Sequence, residues 1–185
     1  MPLELFPESS IFTERTFIRK YVPEDVHSIL FFLKRNMDRL KEHFPLTISM
    51  VSDENTSLDF IFLRTVEWDQ NISFTYGIYL KVTNEYIGQI TIKRIEWDKK
   101  EAELGYFIDE RYEGKGIMTE VMLTVEMQCR KLGIKCLQLR IIPGNIKSIK
   151  LAEKFRYENS GILTENFQSH DGKMINIILY TKMLL

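Results

Sequence analysis

A turn that contains two glycines and a lysine stands directly before a long segment with an apolar stripe. It reads DERYEGKGIM. The first backbone N–H groups of a helix have no partner within the helix, and the helix dipole makes that end positive, so a helix starting near Ile117 can bind an anion there. Gly114 and Gly116 have no Cβ to block the approach of a phosphate. Lys115 and Arg111 can add charged hydrogen bonds. The turn therefore predicts a phosphate or pyrophosphate site.

The spacing of this turn argues against two common phosphate-binding motifs. A P-loop has four residues between its first glycine and the sequence Gly-Lys-Ser/Thr, whereas here Gly-Lys is followed by Gly116. A dinucleotide-binding turn needs Gly-x-Gly-x-x-Gly within a parallel βαβ unit. Here Gly-x-Gly is followed by Ile117, Met118 and Thr119. Because glycine pairs also occur in turns that bind nothing, the interpretation depends on the elements around the turn.

Three segments before the turn have the composition of β-strands. They are FTYGIYL, EYIGQITIKRI and EAELGYFI, which are rich in β-branched and aromatic residues. The short stretches VTNE and WDKK separate them. Since short turns join antiparallel neighbours, these segments predict a three-stranded antiparallel meander.

The first seventy residues predict one strand followed by helices. Residues 13–21 form the opening strand, and Pro23 with the two acids after it favours a helix start. The apolar stripe of that helix consists of Val26, Ile29, Leu30 and Leu33. A second helical stretch over residues 38–43 is expected to end near Pro45. Residues 55–68 predict a third helix, and its apolar face consists of Leu58, Ile61, Phe62 and Thr65.

After the glycine turn the pattern becomes helical, then extended, then helical again. The stripe of the first helix, which should end at Gly133, consists of Ile117, Val121, Val125, Cys129 and Leu132. CLQLRII alternates as a strand, residues 145–155 predict a shorter helix, and GILTENFQ and MINIILYT flank SHDGK as a terminal hairpin. These elements predict an α+β fold, with a mixed, mostly antiparallel sheet and helices on both faces.

Composition and charge restrict the class of protein. The 185 residues are 44% hydrophobic and 28% charged, which suits one domain over residues 1–185 with a core that needs no disulfide. A net charge of -1 gives no general attraction to nucleic acid or to an anionic membrane. We see no secretory signal and no long apolar run, so a cytoplasmic location is expected. Neither the two cysteines nor the three histidines have metal-ligand spacing, and we expect no metal site.

Several motifs, in order, resemble the GNAT family of N-acetyltransferases. They are ELGYFIDERYEGKGIMTEVM, PGNIKSIKLAEKFRYENSG and the later segment from DGK to LY, and they extend from about Glu101 to the C-terminus. More narrowly, the chain is similar to the RimJ/RimL branch, which acetylates the N-termini of ribosomal proteins. The family's Arg/Gln-x-x-Gly-x-Gly/Ala turn matches Arg111, Gly114 and Gly116. In that family the backbone amides of this turn hold the pyrophosphate of coenzyme A.

The resemblance also implies where the rest of acetyl-CoA lies. The family fold has two splayed central strands, here EAELGYFI and CLQLRII, and the pantetheine arm lies between them. Phe107, Ile108 and Asp109 would then face the arm with backbone groups. Asn145 matches the family asparagine that contacts the cofactor, and Ser148 matches the serine near the thiol.

Acetyl transfer from a thioester to an amine needs a proton acceptor, an oxyanion stabiliser and a proton donor. Glu103 shares a strand face with Gly105, so we predict that it takes the amine proton through a water molecule. A backbone N–H near Ile108 is the expected oxyanion donor. Many relatives use a tyrosine as the acid, but that position is Ala152 here, and Ser148 replaces it in the RimJ/RimL branch.

Three of these positions also permit other interpretations. Glu103 has the pattern of a structurally paired residue on a meander, and Ser148 that of a serine satisfying backbone groups in the first turn of a helix. Arg156 stands where the family has a helix-ending glycine, so the end of that helix is an open question. We also consider whether Arg156 lies near the adenosine 3′-phosphate.

Two hypotheses of function follow. The first is an acetyl-CoA-dependent N-acetyltransferase that works by direct attack in a ternary complex, because neither cysteine lies in a matched motif. The resemblance implies a protein N-terminal α-amine as acceptor, although polyamines, amino acids, amino sugars and aminoglycosides are acceptors on the same scaffold. The second is a non-catalytic module that binds acyl-CoA. Relatives are often dimers, and the terminal hairpin offers an edge for pairing.

Overall fold

The computed structural model describes residues 6–184. In this range the strands are β1 Ser10–Phe12, β2 Thr16–Lys20, β3 Phe74–Leu80, β4 Tyr86–Glu96, β5 Glu101–Ile108, β6 Cys136–Ile141, β7 Glu158–Gln168 and β8 Met174–Met183. The α-helices are α1 Val26–Leu40, α2 Pro45–Ser49, α3 Glu54–Asp69, α4 Ile117–Lys131 and α5 Ile146–Lys154. Short 3₁₀ turns occupy Pro23–Asp25 and Glu110–Tyr112. No helix within residues 6–184 is long and apolar enough to cross a membrane.

The strands form one mixed sheet in the order β1-β2-β3-β4-β5-β6-β8-β7. Among the described residues, every neighbouring pair is antiparallel except β5 and β6. The predicted meander is β3 to β5, and the predicted terminal hairpin is β7 and β8. The α+β fold class is therefore confirmed.

Helices cover the sheet on both faces. The predicted stripe of α4 is buried and packs with Leu104 and Ile108 of β5 in the larger apolar cluster. A second cluster joins α1, α2 and α3 to aromatic residues of the other face, among them Tyr79, Tyr86 and Phe107. Since strand residues alternate between faces, Phe107 faces α1 whereas Ile108 faces α4.

The central strands separate after a short paired stretch. Strands β5 and β6 pair in register from Glu101 with Cys136 to Glu103 with Gln138. Beyond Glu103, no further pairing joins β5 to β6 within residues 6–184. This gap is the predicted splay, and it leaves backbone groups of β5 available to a ligand.

Three sequence predictions about the N-terminal part were wrong in detail. The opening strand is shorter than the predicted residues 13–21, because Thr13 N donates to Thr16 O at 2.8 Å in a turn before β2, and the strand β1 was not predicted. The second helical stretch is not separate, since residues 38–40 are the last turn of α1, and Pro45 begins α2 because proline needs no N–H partner in a first turn. In α3 the buried residues are Ser57, Phe60, Ile61 and Trp68, whereas Leu58 and Phe62 are exposed.

The error in α3 has a physical cause. Apolar residues surround much of this helix, so spacing alone does not select the buried face. Tertiary contacts select it: the Trp68 ring packs edge-on against Phe74 and Tyr76 at centroid distances of 5.2 and 4.9 Å. The Ser57 hydroxyl donates to Asp53 O at 2.6 Å on the buried side.

Candidate active site

A cavity of about 590 Å³ lies next to the gap between β5 and β6. This volume is in the range of cofactor sites. Its wall joins the end of α1, the end of β5, the glycine turn, the start of α4 and one side of α5. Of the residues named from the sequence, those on the wall are Phe107, Ile108, Gly114, Gly116, Ile117, Asn145 and Ser148. Glu103, Asp109, Arg111 and Lys115 do not line it.

The glycine turn has the backbone conformation that glycine permits. Gly114 has φ of +69° and Gly116 has φ of +79°, and Gly116 is the N-cap of α4. Gly116 O accepts the bond from Glu120 N at 3.2 Å, so the N–H groups of Ile117 to Thr119 precede the regular helical ladder. A Cβ on Gly114 would meet no atom within 4 Å. The turn therefore presents free N–H groups beside open space.

Arg15, which lies between β1 and β2, holds the glycine turn in place. Its Nη1 donates to Lys115 O at 2.8 Å and its Nε donates to Glu120 Oε1 at 2.5 Å. The Lys115 side chain lies above the Tyr112 ring, with Nζ 5.5 Å from the ring centroid. The Lys115 ammonium group, which the sequence predicted to contact a phosphate, thus does not line the cavity.

Asp109 and Arg111 form a structural network below the turn. The Asp109 carboxylate is 1% exposed and accepts hydrogen bonds from Arg111 N, Arg35 and Asn36. Burial raises the pKa of Asp109, but the bonds from Arg111, Arg35 and Asn36 outweigh this and lower the pKa to about 2. The Arg111 guanidinium also binds Glu85. These side chains hold the turn in place and do not reach the cavity.

The start of α5 brings two predicted residues to the cavity wall. Asn145 is the N-cap of α5, and its Oδ1 accepts from Ser148 N at 3.2 Å. This bond uses the Asn145 oxygen and leaves its amide nitrogen available. Ser148 therefore fits both interpretations: its N–H takes part in the cap of α5, and the residue also lines the cavity.

Tyr106 is a functional candidate that the sequence reading missed. Its ring lines the cavity, and its hydroxyl is buried with no aligned hydrogen-bond partner among residues 6–184. Burial raises the pKa of the Tyr106 phenol to about 12, and the neighbouring Ser148 hydroxyl partly opposes this rise. Strand alternation places Tyr106 on the α4 face of β5, away from Glu103. This alternation is the sequence signal that could have identified Tyr106 as a residue of the cavity.

His43 and Phe44 close the cavity on the α1 side. The Phe44 ring meets the Phe107 ring edge-on at 5.1 Å. His43 Nδ1 is buried without a hydrogen-bond partner in the described part of the chain. Burial lowers the pKa of His43, opposed in part by Glu42, so the neutral imidazole is favoured near neutral pH. Nothing in the local sequence marked this histidine, because its position depends on the α1–α2 connection.

Basic residues of α5 border the outer part of the cavity. They are Lys147, Lys150 and Lys154, at helical spacings of three and four. Lys147 pairs with Glu113, and Lys154 Nζ donates to Thr119 Oγ1 at 3.3 Å. Arg156 is not on the wall. It has φ of +61° and ends α5 in the glycine conformation, with Tyr157 N donating to Ala152 O at 3.0 Å.

Glu103 lies on the face of β5 opposite to Tyr106. It is 5% exposed, and its carboxylate is an ion-pair partner of Lys93 at 3.0 Å, Arg94 at 3.3 Å and Arg140 at 3.1 Å. The structure does not bring Glu103 to the cavity wall. Three cations thus surround this carboxylate, and a water molecule would have to connect it to an amine in the cavity.

Comparisons with known proteins agree with this geometry. A family model described as an acetyltransferase (GNAT) domain matches residues 15–158. A protein named uncharacterized N-acetyltransferase p20, from Bacillus licheniformis, is 24% identical over 174 residues, which are 93% of this chain and 94% of that protein.

Two solved structures share the fold. The first is the microcin C7 self-immunity acetyltransferase MccE in complex with acetyl-CoA and AMP, with a TM-score of 0.85, 17% identity and coverage of 97% of this chain and 99% of that one. The second is the RimL ribosomal L7/L12 α-N-protein acetyltransferase in complex with coenzyme A, with a TM-score of 0.82, 18% identity and coverage of 95% and 98%. Because the family model matches more than half of the chain, this protein belongs to the GNAT family of N-acetyltransferases.

Proposed function

We propose that this protein transfers an acetyl group from acetyl-CoA to the N-terminal α-amine of a protein, by direct attack in a ternary complex. The observation that carries the proposal is one cavity that combines the glycine turn, the gap between β5 and β6, and the start of α5. Acetyl-CoA would supply the activated acyl group as a thioester. RimL-type proteins among the structural neighbours favour a protein N-terminus as acceptor.

The residues on the wall fit such a cosubstrate. The N–H groups of Ile117 to Thr119 suit a pyrophosphate, and Gly114 keeps the approach open. Backbone groups of Phe107 and Ile108 lie along the unpaired part of β5 and suit the amide groups of an extended arm. Lys150 and Lys154 add positive charge at the outer end, where phosphate groups would lie.

Proton transfer would involve groups on both sides of the gap. Ser148 and Tyr106 lie together on one side. We propose that the Ser148 hydroxyl protonates the departing thiolate and that the Tyr106 hydroxyl orients the Ser148 hydroxyl. A backbone N–H of β5 near Ile108 would stabilise the oxyanion. Glu103 remains the proposed acceptor of the amine proton through water, and His43 is a second candidate because its neutral imidazole lines the cavity.

Two measurements on one sample test the function. Thermal unfolding with and without acetyl-CoA reports binding, because a ligand selective for the folded state stabilises it by about 2.7 kcal/mol at one hundred times its Kd. Release of free thiol is then followed with N-terminal peptides and small amines as acceptors. We expect a rise in Tm and release that depends on the acceptor. A rise in Tm with no release from any amine would favour a binding module, and no rise at all would contradict the proposed cosubstrate.

A further inference from the structure

Three basic side chains converge on one buried carboxylate at the closed end of the gap. Lys93 and Arg94 come from β4 and Arg140 comes from β6, and all three contact Glu103 of β5 at 3.0 to 3.3 Å. We call Lys93, Arg94, Arg140 and Glu103 the cation cluster. It lies outside the wall of the cavity, and the proposed role of Glu103 as a proton acceptor gives no reason for three cations around it.

The charge of the cation cluster is not balanced. Its members sum to a charge of about +2, and including Glu101, which lies on the same strand face and accepts a hydrogen bond from Gln138 at 3.1 Å, leaves about +1. Burial and the nearby Arg94 lower the pKa of the Arg140 guanidinium, and Glu103 opposes this. Since like charges repel, three cations around one carboxylate are a source of repulsion. Arg140 Nε and Glu103 Oε2 are both buried without an aligned hydrogen bond. An additional anion would relieve this repulsion.

The backbone is strained to build the cluster. Arg94 has φ of +49°, in the left-handed region that is unfavourable for residues other than glycine. It lies in an irregular stretch, where the register between β4 and β5 shifts after Lys93. In a regular strand, Lys93 and Arg94 would point to opposite faces. The left-handed residue instead directs both side chains to Glu103, and strain of this kind is concentrated at functional sites.

The cation cluster is partly open to solvent and lies on the same sheet face as Phe107. The Arg94 side chain is 55% exposed and the Lys93 side chain is 40% exposed. Glu103 shares its strand face with Phe107, which lines the cavity beside α1. Four residues of β-strand span about 13 Å, so the cluster lies within the reach of a few extended residues from the cavity.

We propose that the cation cluster binds an anionic group of the acceptor, and that the preferred acceptors are protein N-termini with Asp or Glu within the first four residues. This inference rests on the proposed acetyl transfer to an N-terminal amine. With the α-amine bridged to Glu103 by water, an extended peptide places the Cα atoms of its second to fourth residues about 3 to 10 Å further along, within reach of the exposed Lys93 and Arg94 side chains. A small acidic amine offers the same chemistry and is the alternative source of the anion.

The test compares matched acceptors on the full-length protein. Peptides that begin Ser-Asp-Ala-Ala, Ser-Ala-Asp-Ala or Ser-Ala-Ala-Asp are paired with peptides that carry Asn in place of Asp. Calorimetry measures their binding to the protein saturated with unacetylated coenzyme A, and thiol release from acetyl-CoA measures kcat/KM. We expect at least one Asp peptide to bind about tenfold more tightly than its Asn partner, and this ratio to fall as salt is added. The pair β-alanine and β-alaninamide tests the small acidic amine.

Three variants assign the preference to the cation cluster. Arg94→Gln and Lys93→Gln each remove one exposed charge and should lower the Asp/Asn ratio by about three- to tenfold. Arg94→Gly removes the charge and the strained conformation together, so it should raise Tm while losing the preference. Lys131→Gln removes an exposed charge of α4, with a side chain 64% exposed, and should leave the ratio unchanged.

The outcomes separate this inference from the proposed function. A preference for Asp peptides that these variants lose supports the inference, and a preference shown only by β-alanine would assign the cluster to small acids. Equal binding of Asp and Asn peptides and of both small amines overturns it. Calorimetry needs no acetyl transfer, so the comparison of Asp and Asn peptides is valid even if no acceptor releases thiol. A failure of every acceptor to release thiol would by itself contradict only the proposed function.

Discussion

The Asp109 carboxylate closes a short ring with Arg111, accepting from its backbone N–H at 3.0 Å and from its Nε at 3.1 Å. The ring begins the 3₁₀ turn that leads into the glycine turn, so a residue that does not line the cavity positions the glycine turn. Arg35 joins the same carboxylate from α1. The glycine turn is thereby connected to α1, whose C-terminal end lines the other side of the cavity.

The low pKa of Asp109 predicts a loss of stability in acid. The pKa of about 2 lies below the ordinary value of 3.8, so the stabilisation is present above about pH 4 and is lost as the pH falls towards 2. It amounts to about 1 to 2 kcal/mol at neutral pH. Asp109→Asn should reduce stability at neutral pH and flatten its decline between pH 4 and 2, measured by urea unfolding. Asp98→Asn, an exposed site, should change neither. If the free energy of unfolding of Asp109→Asn fell as steeply between pH 4 and 2 as that of the unaltered protein, Asp109 would not be the group responsible.

Replacing Arg156 with glycine should stabilise the protein. Arg156 has φ of +61° and ends α5 with Arg156 N bonded to Glu153 O at 2.9 Å, a geometry that glycine adopts without strain. We expect Arg156→Gly to stabilise the fold by about 1 kcal/mol, or to raise Tm by about 2 to 4 °C. Arg156→Ala keeps the left-handed strain and serves as the control. A lower Tm in the glycine variant would mean that the arginine side chain makes a stabilising contact.

A methyl group on the glycine turn should obstruct acetyl-CoA. The Cβ of Gly114→Ala enters the open space beside the first N–H groups of α4. We expect acetyl-CoA to bind at least about tenfold more weakly. Gly172→Ala introduces alanine at φ of +83° outside the cavity wall and controls for backbone strain. Equal losses of affinity in both variants would show that strain, and not obstruction, is the cause.

The hydroxyl groups of Ser148 and Tyr106 should affect turnover more than binding. Ser148→Ala should lower kcat by about 10²-fold or more if it supplies the proton, and Tyr106→Phe by about tenfold. Tyr157→Phe removes another buried phenol, away from the cavity wall, and should not change kcat. Stopped-flow measurement of thiol release separates these steps from product release. An unchanged kcat in Ser148→Ala would show that this serine is not the proton donor and has only a structural role in the first turn of α5.

The pH dependence of kcat/KM separates His43 from Glu103. The lowered pKa of His43 places a loss of activity below about pH 6.5 if the neutral imidazole accepts the amine proton. If His43 is the acceptor, His43→Gln should remove this acidic limb and Glu103→Gln should leave its position unchanged. An acidic limb that persists in His43→Gln, together with loss of most activity in Glu103→Gln, would assign the role to Glu103.

The sequence by itself determined the features that depend on local periodicity and backbone conformation. The α4 stripe, the meander, the terminal hairpin and the position of the glycine turn follow from spacing and from the φ values that glycine permits. The motif order from about Glu101 onwards also identified the family, because several short motifs in sequence are specific together.

Only the tertiary structure decided which charged groups meet and which face the cavity. Asp109 with Arg35, Glu103 with Arg140 and His43 beside Phe107 all join segments far apart in the chain. A carboxylate on an alternating strand has the same local pattern whether it faces a substrate or three cations, since charge pairing depends on distances across the sheet. The sequence therefore located the glycine turn, and the fold determined which side chains lie beside it on the cavity wall.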